Sequence, residues 1–230
     1  MKTLLKPLTH QFLFEESGYT AEMCIEQESL EIAYHLRYRA YANVDAISPN
    51  TEQLCTDKFD EQQNARTYLI WYEGQPVASV RSLSWSAAYQ WAPTPSVQLF
   101  SAEIDQQLGL SASLLESNRY VVAPDFTGRP SLTAQMLLFR VQTLAAIADH
   151  CDHVITAVRP RHVRFYERFM NFRVISEAIE VSEVKFPIQL LTTPVSSKEK
   201  LAQSSGIAAY QEIDLERYMH CLKHLKKHLL

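Results

Sequence analysis

Only four cysteines occur in the 230-residue chain, Cys24, Cys55, Cys151 and Cys221, and no two of them form a C-x-x-C pair. That scatter excludes the common zinc and dithiol motifs and predicts reduced thiols. No apolar run approaches the roughly 18 residues of a membrane span. The opening MKTLLKPLTHQFLFEESG lacks a long apolar stretch and a small-residue cleavage site, so a cytoplasmic protein is expected. Lysine-rich runs, finger-like Cys/His spacing and aromatic RNA-binding strands are missing as well, and no nucleic-acid partner is expected.

What is present is an ordinary globular composition, 47% hydrophobic, enough to bury a sizeable core. The net charge of −4 is unevenly spread. Residues 1–110 carry fourteen acids against seven bases, whereas residues 129–173 hold seven arginines against Asp149, Asp152 and Glu167. Two solvated faces would account for this; so would a docking surface for an anionic partner.

The order of elements reads as mixed α/β. Residues 19–25 alternate as a strand, and a helix follows with Leu30, Tyr34, Arg37, Tyr41 and Val44 on one stripe. Arg39 lies about 200° round that helix from Arg37, so Arg37 faces inward and requires a carboxylate or an anionic ligand. A hairpin turning at Glu73-Gly74 places Arg81 in its second strand, and residues 96–108 read as one short helix ended by Gly109. After the strand LLESNRYVVA come a helix from Ser131 to His150, a strand 153–159, a helix that begins at Pro160, and one or two closing strands within 173–191. Residues 1–191 therefore read as one domain, the polar stretch 192–206 as a linker, and 207–230 as a basic amphipathic helix with Leu215, Leu222, Leu225 and Leu229 along one side. Such a helix can lie on a membrane surface, but packing onto its own domain is the expectation. His220, His224 and His228 recur every fourth residue without carboxylate or cysteine company, so no metal is expected there.

The strand at 114–123 poses the chemical question, because it carries Glu116, Asn118 and Arg119 inside an otherwise apolar, β-branched run. In a regular strand 116 and 119 point to opposite faces. A β-bulge would return both to one face and free backbone N–H groups for an oxyanion.

The segments YHLRYRAY, TDKF with Asp60, VASVRSL and LLESNRYVV stand in the order and rough spacing of the acyl-homoserine-lactone synthases and the related N-acyl amino acid synthases, which the chain resembles over residues ~19 to ~175. The resemblance implies a GNAT-like fold with a bulged fourth strand beside a splayed gap for a pantetheine arm. It also implies transfer of a fatty acyl group from acyl carrier protein to the amine of an amino acid or a similar small acceptor. Arg37, Asp57, Asp60 and Arg81 then shape the acceptor pocket; Glu116 accepts the amine's proton and Arg119 completes the E-x-x-R pair. Tyr120, Val121, Val122 and Ala123 border the acyl donor. A structural ion-pair network is the competing account of the same residues.

Departures from the pattern narrow the expectation. Ala46 and Ile47 stand where the lactone synthases carry Gly-Trp, which weakens the case for S-adenosylmethionine. The window DFTGRP puts Asp125 and Pro130 where a diphosphate loop needs backbone amides, so acyl-CoA is the lesser fit and no tightly bound cofactor is expected. Arg161, Arg164 and Arg168 offer a docking face for an acidic carrier. FYERFMNF resembles the fold's Y-x-x-x-G-F segment with one extra residue, making Tyr166 the proposed acid and Asn171 a left-handed cap. An acyl-homoserine-lactone synthase using S-adenosylmethionine is the runner-up, and a catalytically silent acyl-binding module is the alternative of a different class.

Overall fold

The computed structural model describes residues 12–89, 91–109, 111–182, 184–196 and 209–228. Its frame is an eight-stranded sheet in the order β1-β2-β3-β4-β5-β6-β8-β7. The strands are β1 Phe12–Glu16, β2 Tyr19–Cys24, β3 Ala65–Tyr72, β4 Gln75–Trp85, β5 Leu114–Val122, β6 His153–Val158, β7 Arg173–Val174 and β8 Gln189–Pro194. Among the described residues only the β5–β6 pairing is parallel.

The helices are α1 Gln27–Ala42, α2 Pro95–Leu99, α3 Ser101–Leu108, α4 Gly128–Ala148, α5 Val163–Met170 and α6 Glu212–His228. Alternation along the strands divides them between the two faces. Leu69, Trp71 and Val121 pack against Ala33 and Leu36 of α1, while Leu114 and Ile155 meet Val97 of α2 and Ile104 of α3. On the opposite face Tyr68, Ile70, Val80 and Leu115 pack with Leu137, Val141 and Leu144 of α4 and with Tyr218 and Cys221 of α6. α4 is the one described helix long and apolar enough to cross a membrane, and most of it is buried against the sheet.

Several expectations need correction. The sheet begins one strand earlier than residue 19, with β1 joined to β2 through Ser17 and Gly18, whose φ angles of 49° and 82° give the left-handed hairpin turn suited to twisted strands. A β1 of five residues carries too little alternation to stand out in sequence. The single helix read at 96–108 is two, because Phe100 takes φ −126° and turns its ring into the core between them. α4 starts at Gly128, three residues before Ser131, since Pro130 needs no N–H in a first helical turn. Val44 lies beyond α1 and is exposed.

β8 runs through Pro194, so residues 192–194 of the stretch read as a linker are sheet, and residues 197–208 lie outside the described residues. The tail helix packs on the main core as expected: Tyr218 and Cys221 are buried, and Asp214 pairs with Arg140 of α4. Leu222 is buried and Leu215 and Leu225 pack beside it, whereas Leu229 and the His228 side chain lie outside the described residues.

Candidate active site

The β4–β5 ladder runs in regular register from Trp85↔Leu114 to Arg81↔Asn118, then skips to Ser79↔Val121. One extra residue is thereby accommodated in β5, and the bulge falls at Arg119 itself, whose φ is 52°. β5 pairs with β6 only from Leu114↔His153 to Glu116↔Ile155, so beyond Glu116 the parallel strands part. Ala123 donates its N–H to Val77 across β4, which by antiparallel alternation turns the N–H of Val122 toward the side that β6 has left. Glu116 thus stands at the apex of a splayed gap, and Tyr120 and Val122 follow along its β5 edge.

On the α1 face the predicted charges come together. The segment 57–60 closes on itself: the Asp57 N–H donates to Oδ2 of Asp60, the Phe59 N–H to Oδ1 of Asp57, and the Asp60 N–H to the Asp57 carbonyl. This self-capped turn presents two carboxylates to three arginines. Arg81 forks onto Asp57 at 2.6 and 3.0 Å and reaches Asp60 at 2.9 Å. Arg37 donates to Asp60 at 2.7 Å and to Thr67 at 2.8 Å, and Arg119 donates to Asp57 at 2.5 Å. Arg81 also donates through Nε to Asn118, whose amide nitrogen donates to Glu116 at 2.9 Å. The other oxygen of Glu116 accepts the Ser96 N–H at 2.8 Å.

Depth separates the roles these residues can take. Arg37, Arg81, Asp60 and Glu116 are nearly inaccessible, whereas the side chains of Arg119 and Asp57 keep 15% and 22% of their exposure. A ligand arriving from outside therefore meets Arg119 and Asp57 first, with the buried pairs holding them from behind. Burial pushes the Asp57 carboxyl upward, but the hydrogen bonds and charge of Arg81, then of Arg119, prevail and hold it well below the usual carboxylate range. Tyr41 faces the guanidinium of Arg119 at 5.7 Å, and Cys55 lies 3.9 Å from it.

Arg39, on the outer side of α1 as expected, pairs with Asp125 in the loop after β5. Asn171 ends α5 in the left-handed conformation with φ 54°. Tyr166 packs edge-on against Phe165 and Phe172, and burial followed by the nearby Tyr41 raises its hydroxyl, so it stays protonated. It also lies within electrostatic reach of Tyr120, whose own hydroxyl donates to the Gln135 carbonyl. Arg161, Arg164 and Arg168 are all exposed, on the turn leading into α5 and on the helix.

Sequence reasoning missed Asn118, Thr67 and Ser96 as members of the network. Asn118 carried a signal, since it stands between two charges in a buried strand; Thr67 and the backbone of Ser96 carried none. Trp71 lies on one face of the sheet, and Tyr68 and Phe139 lie on the other. Trp71 faces the α1 side with Nε1 donating to buried Glu22, while Tyr68 and Phe139 belong to the α4 side.

Comparison with known proteins agrees with this fold. No curated protein sequence matches the chain. Among solved structures, FeeM, an N-acyl amino acid synthase from uncultured soil microbes, superposes with a TM-score of 0.67 at 15% identity, covering 80% of this chain and 93% of its own. The acyl-homoserine-lactone synthase LasI gives 0.61 at 13% identity, covering 85% and 96%. BjaI, described as a CoA-dependent acyl-homoserine lactone synthase, gives 0.60 at 12% identity, covering 86% and 97%. These likenesses establish the GNAT-like acyltransferase fold. The profile of the N-acyl amino acid synthase FeeM family matches residues 32–194, well over half of the sequence, from the inward face of α1 through the bulged strand to the end of β8. The chain therefore belongs to the FeeM family of N-acyl amino acid synthases, and is an N-acyltransferase.

Proposed function

We propose that this N-acyltransferase moves a fatty acyl group from the phosphopantetheine arm of acyl carrier protein to the amine of an amino acid. The observation that carries this reading is the bulge at Arg119 beside the parted β5 and β6 strands, with a carboxylate at the apex and an arginine–aspartate pair at the rim.

Acyl transfer to an amine needs three things from the protein: an oriented nucleophile, a proton acceptor, and donors for the developing oxyanion. The acceptor's ammonium lies against Asp57 and its carboxylate against the outer edge of Arg119, whose forked donors suit it. Arg37, Asp60 and Arg81 are positioning residues that fix these two from the interior. Glu116, at the apex, takes the proton of the attacking amine by way of water. The Val122 N–H steadies the tetrahedral intermediate, and Tyr166 donates a proton to the departing thiolate. Tyr120, Val121 and Ala123 border the arm.

A carrier-bound donor suits the chain better than free CoA. In the loop after β5, Asp125 places a carboxylate, already paired with Arg39, near the start of α4, and Pro130 supplies no amide there. Exposed Arg161, Arg164 and Arg168 offer the complementary face to an acidic carrier. Reversing the three to glutamate raises the KM for acyl carrier protein and leaves that for acyl-pantetheine unchanged; a KM for acyl carrier protein equal to the parent's would remove the docking face. A cytoplasmic location goes with this reading.

The experiment that tests the whole is intact-mass analysis of products from purified protein, offered acyl carrier protein or CoA donors with amino acids or S-adenosylmethionine in separate reactions. An N-acyl amino acid supports the proposal. A lactone product overturns the acceptor, and no product with any donor favours a binding module.

A further inference from the structure

Arg159, immediately after β6, sits where the two parted strands open to the outside. At about 3.3 Å per residue it lies some 13 Å beyond Ile155, the last residue that pairs with β5. Its guanidinium is half-buried and stacks on the Phe186 ring, 3.4 Å from the centroid. Stacking engages the face of the group and leaves its in-plane donors unspent. Among the described residues no carboxylate lies within ion-pair distance of it.

The stack is itself held in place. Lys185 pairs with Asp45 at 2.7 Å, and its N–H donates to the Ala46 carbonyl, fastening the segment that carries Phe186 to the end of α1. A second guanidinium and an imidazole stand beside Arg159. Arg161 donates to the His162 ring at 3.2 Å, and burial followed by Arg161 lowers the Arg159 guanidinium, with Tyr41 pushing back. His162 is lowered by burial, then by Arg161 and Arg159. Two guanidiniums, one half-buried and one exposed, thus stand beside an imidazole that burial and their charge keep neutral, and such a pair is relieved by a multiply charged anion more than by a single carboxylate.

We propose that Arg159, with Arg161 and His162 beside it, anchors the phosphate of the donor's pantetheine arm on the β6 side of the gap. The opposite rim, after β5, holds the Asp125–Arg39 pair and Pro130, so the anion site has moved across the opening. This assignment rests on the donor proposed above and adds to it a phosphate-specific contact.

Calorimetric titration of the intact protein with phosphopantetheine and with phosphate-free pantetheine tests it without turnover. The parent protein binds the phosphorylated arm about tenfold more tightly. Arg159→Gln abolishes that preference while leaving the affinity for pantetheine unchanged, and Arg159→Lys, which keeps the charge and is the second variant should the glutamine protein not fold, retains part of it. A phosphate preference undiminished in both variants overturns the anchor alone. A loss in Arg159→Gln that falls equally on both arms also overturns it, since that is the mark of a structural role. Binding of neither arm by the parent overturns the anchor and the donor reading beneath it together.

Discussion

Asn118 receives the Nε–H of Arg81 on its side-chain oxygen at 2.8 Å, while its amide nitrogen donates to Glu116. One neutral side chain thereby links the acid at the apex to the ion-pair cluster at the rim. The link exists because Asn118 is the last residue in regular register before the bulge, opposite Arg81 on β4.

Replacing Asn118 with leucine leaves the Arg81 Nε and one Glu116 oxygen without their partner. A buried group that loses its hydrogen bond costs about 1–3 kcal/mol, more when charged. The urea midpoint of Asn118→Leu therefore falls with the slope unchanged. A midpoint equal to the parent's would show that the link is energetically idle.

Asp57 sets a stability window in acid. Its folded-state carboxyl is held well below its unfolded value of about 4, so its contribution is fully present above that pH and is lost as pH falls toward the folded value. Denaturation of the parent from pH 7 down to pH 2 shows stability falling below about pH 4. Asp57→Asn starts less stable and follows a flatter curve over that range. Parallel curves would remove Asp57 as the source.

α6 is fastened to α4 by the buried Arg140–Asp214 pair, with Glu16 of β1 a further 3.6 Å neighbour of Arg140. Truncating one member strands the other charge, at a cost of about 3–5 kcal/mol, whereas removing both with apolar replacements is often far milder. Thermal unfolding of Arg140→Met, Asp214→Leu and the double variant measures the coupling. Additive losses would show that the two side chains act independently.

Glu116→Gln and Tyr166→Phe separate proton acceptor from proton donor. Each lowers kcat by about 100-fold or more, the usual scale for losing an acid or base. Tyr166→Phe does so with the fold intact and the KM for the acceptor unchanged. Full turnover in either variant removes that residue from the proposed chemistry.

Much of the architecture was legible because its causes are local. Glu73-Gly74 turns the β3–β4 hairpin with φ angles of 48° and 75°, Gly109 stops α3 with φ 88°, and Asn171 caps α5 where a glycine is commoner. The inward Arg37 and outward Arg39 followed from helical period alone. β1 was missed for want of length, and the break at Phe100 because an aromatic at a helix junction looks the same in sequence as one inside a helix.

The amino-acid order by itself determined the periodicity of the elements, the turns between them, and the presence of three arginines and three acids that a core tolerates only when paired. Tertiary structure decided who pairs with whom. Asp57 meets Arg81 and Arg119, which are 24 and 62 residues away, only because the sheet register brings β4 beside β5 and the bulge turns Arg119 onto the same face. Local preference reaches a few residues along the chain, whereas a carboxylate is satisfied by whichever donor the folded backbone carries to within hydrogen-bonding distance of it.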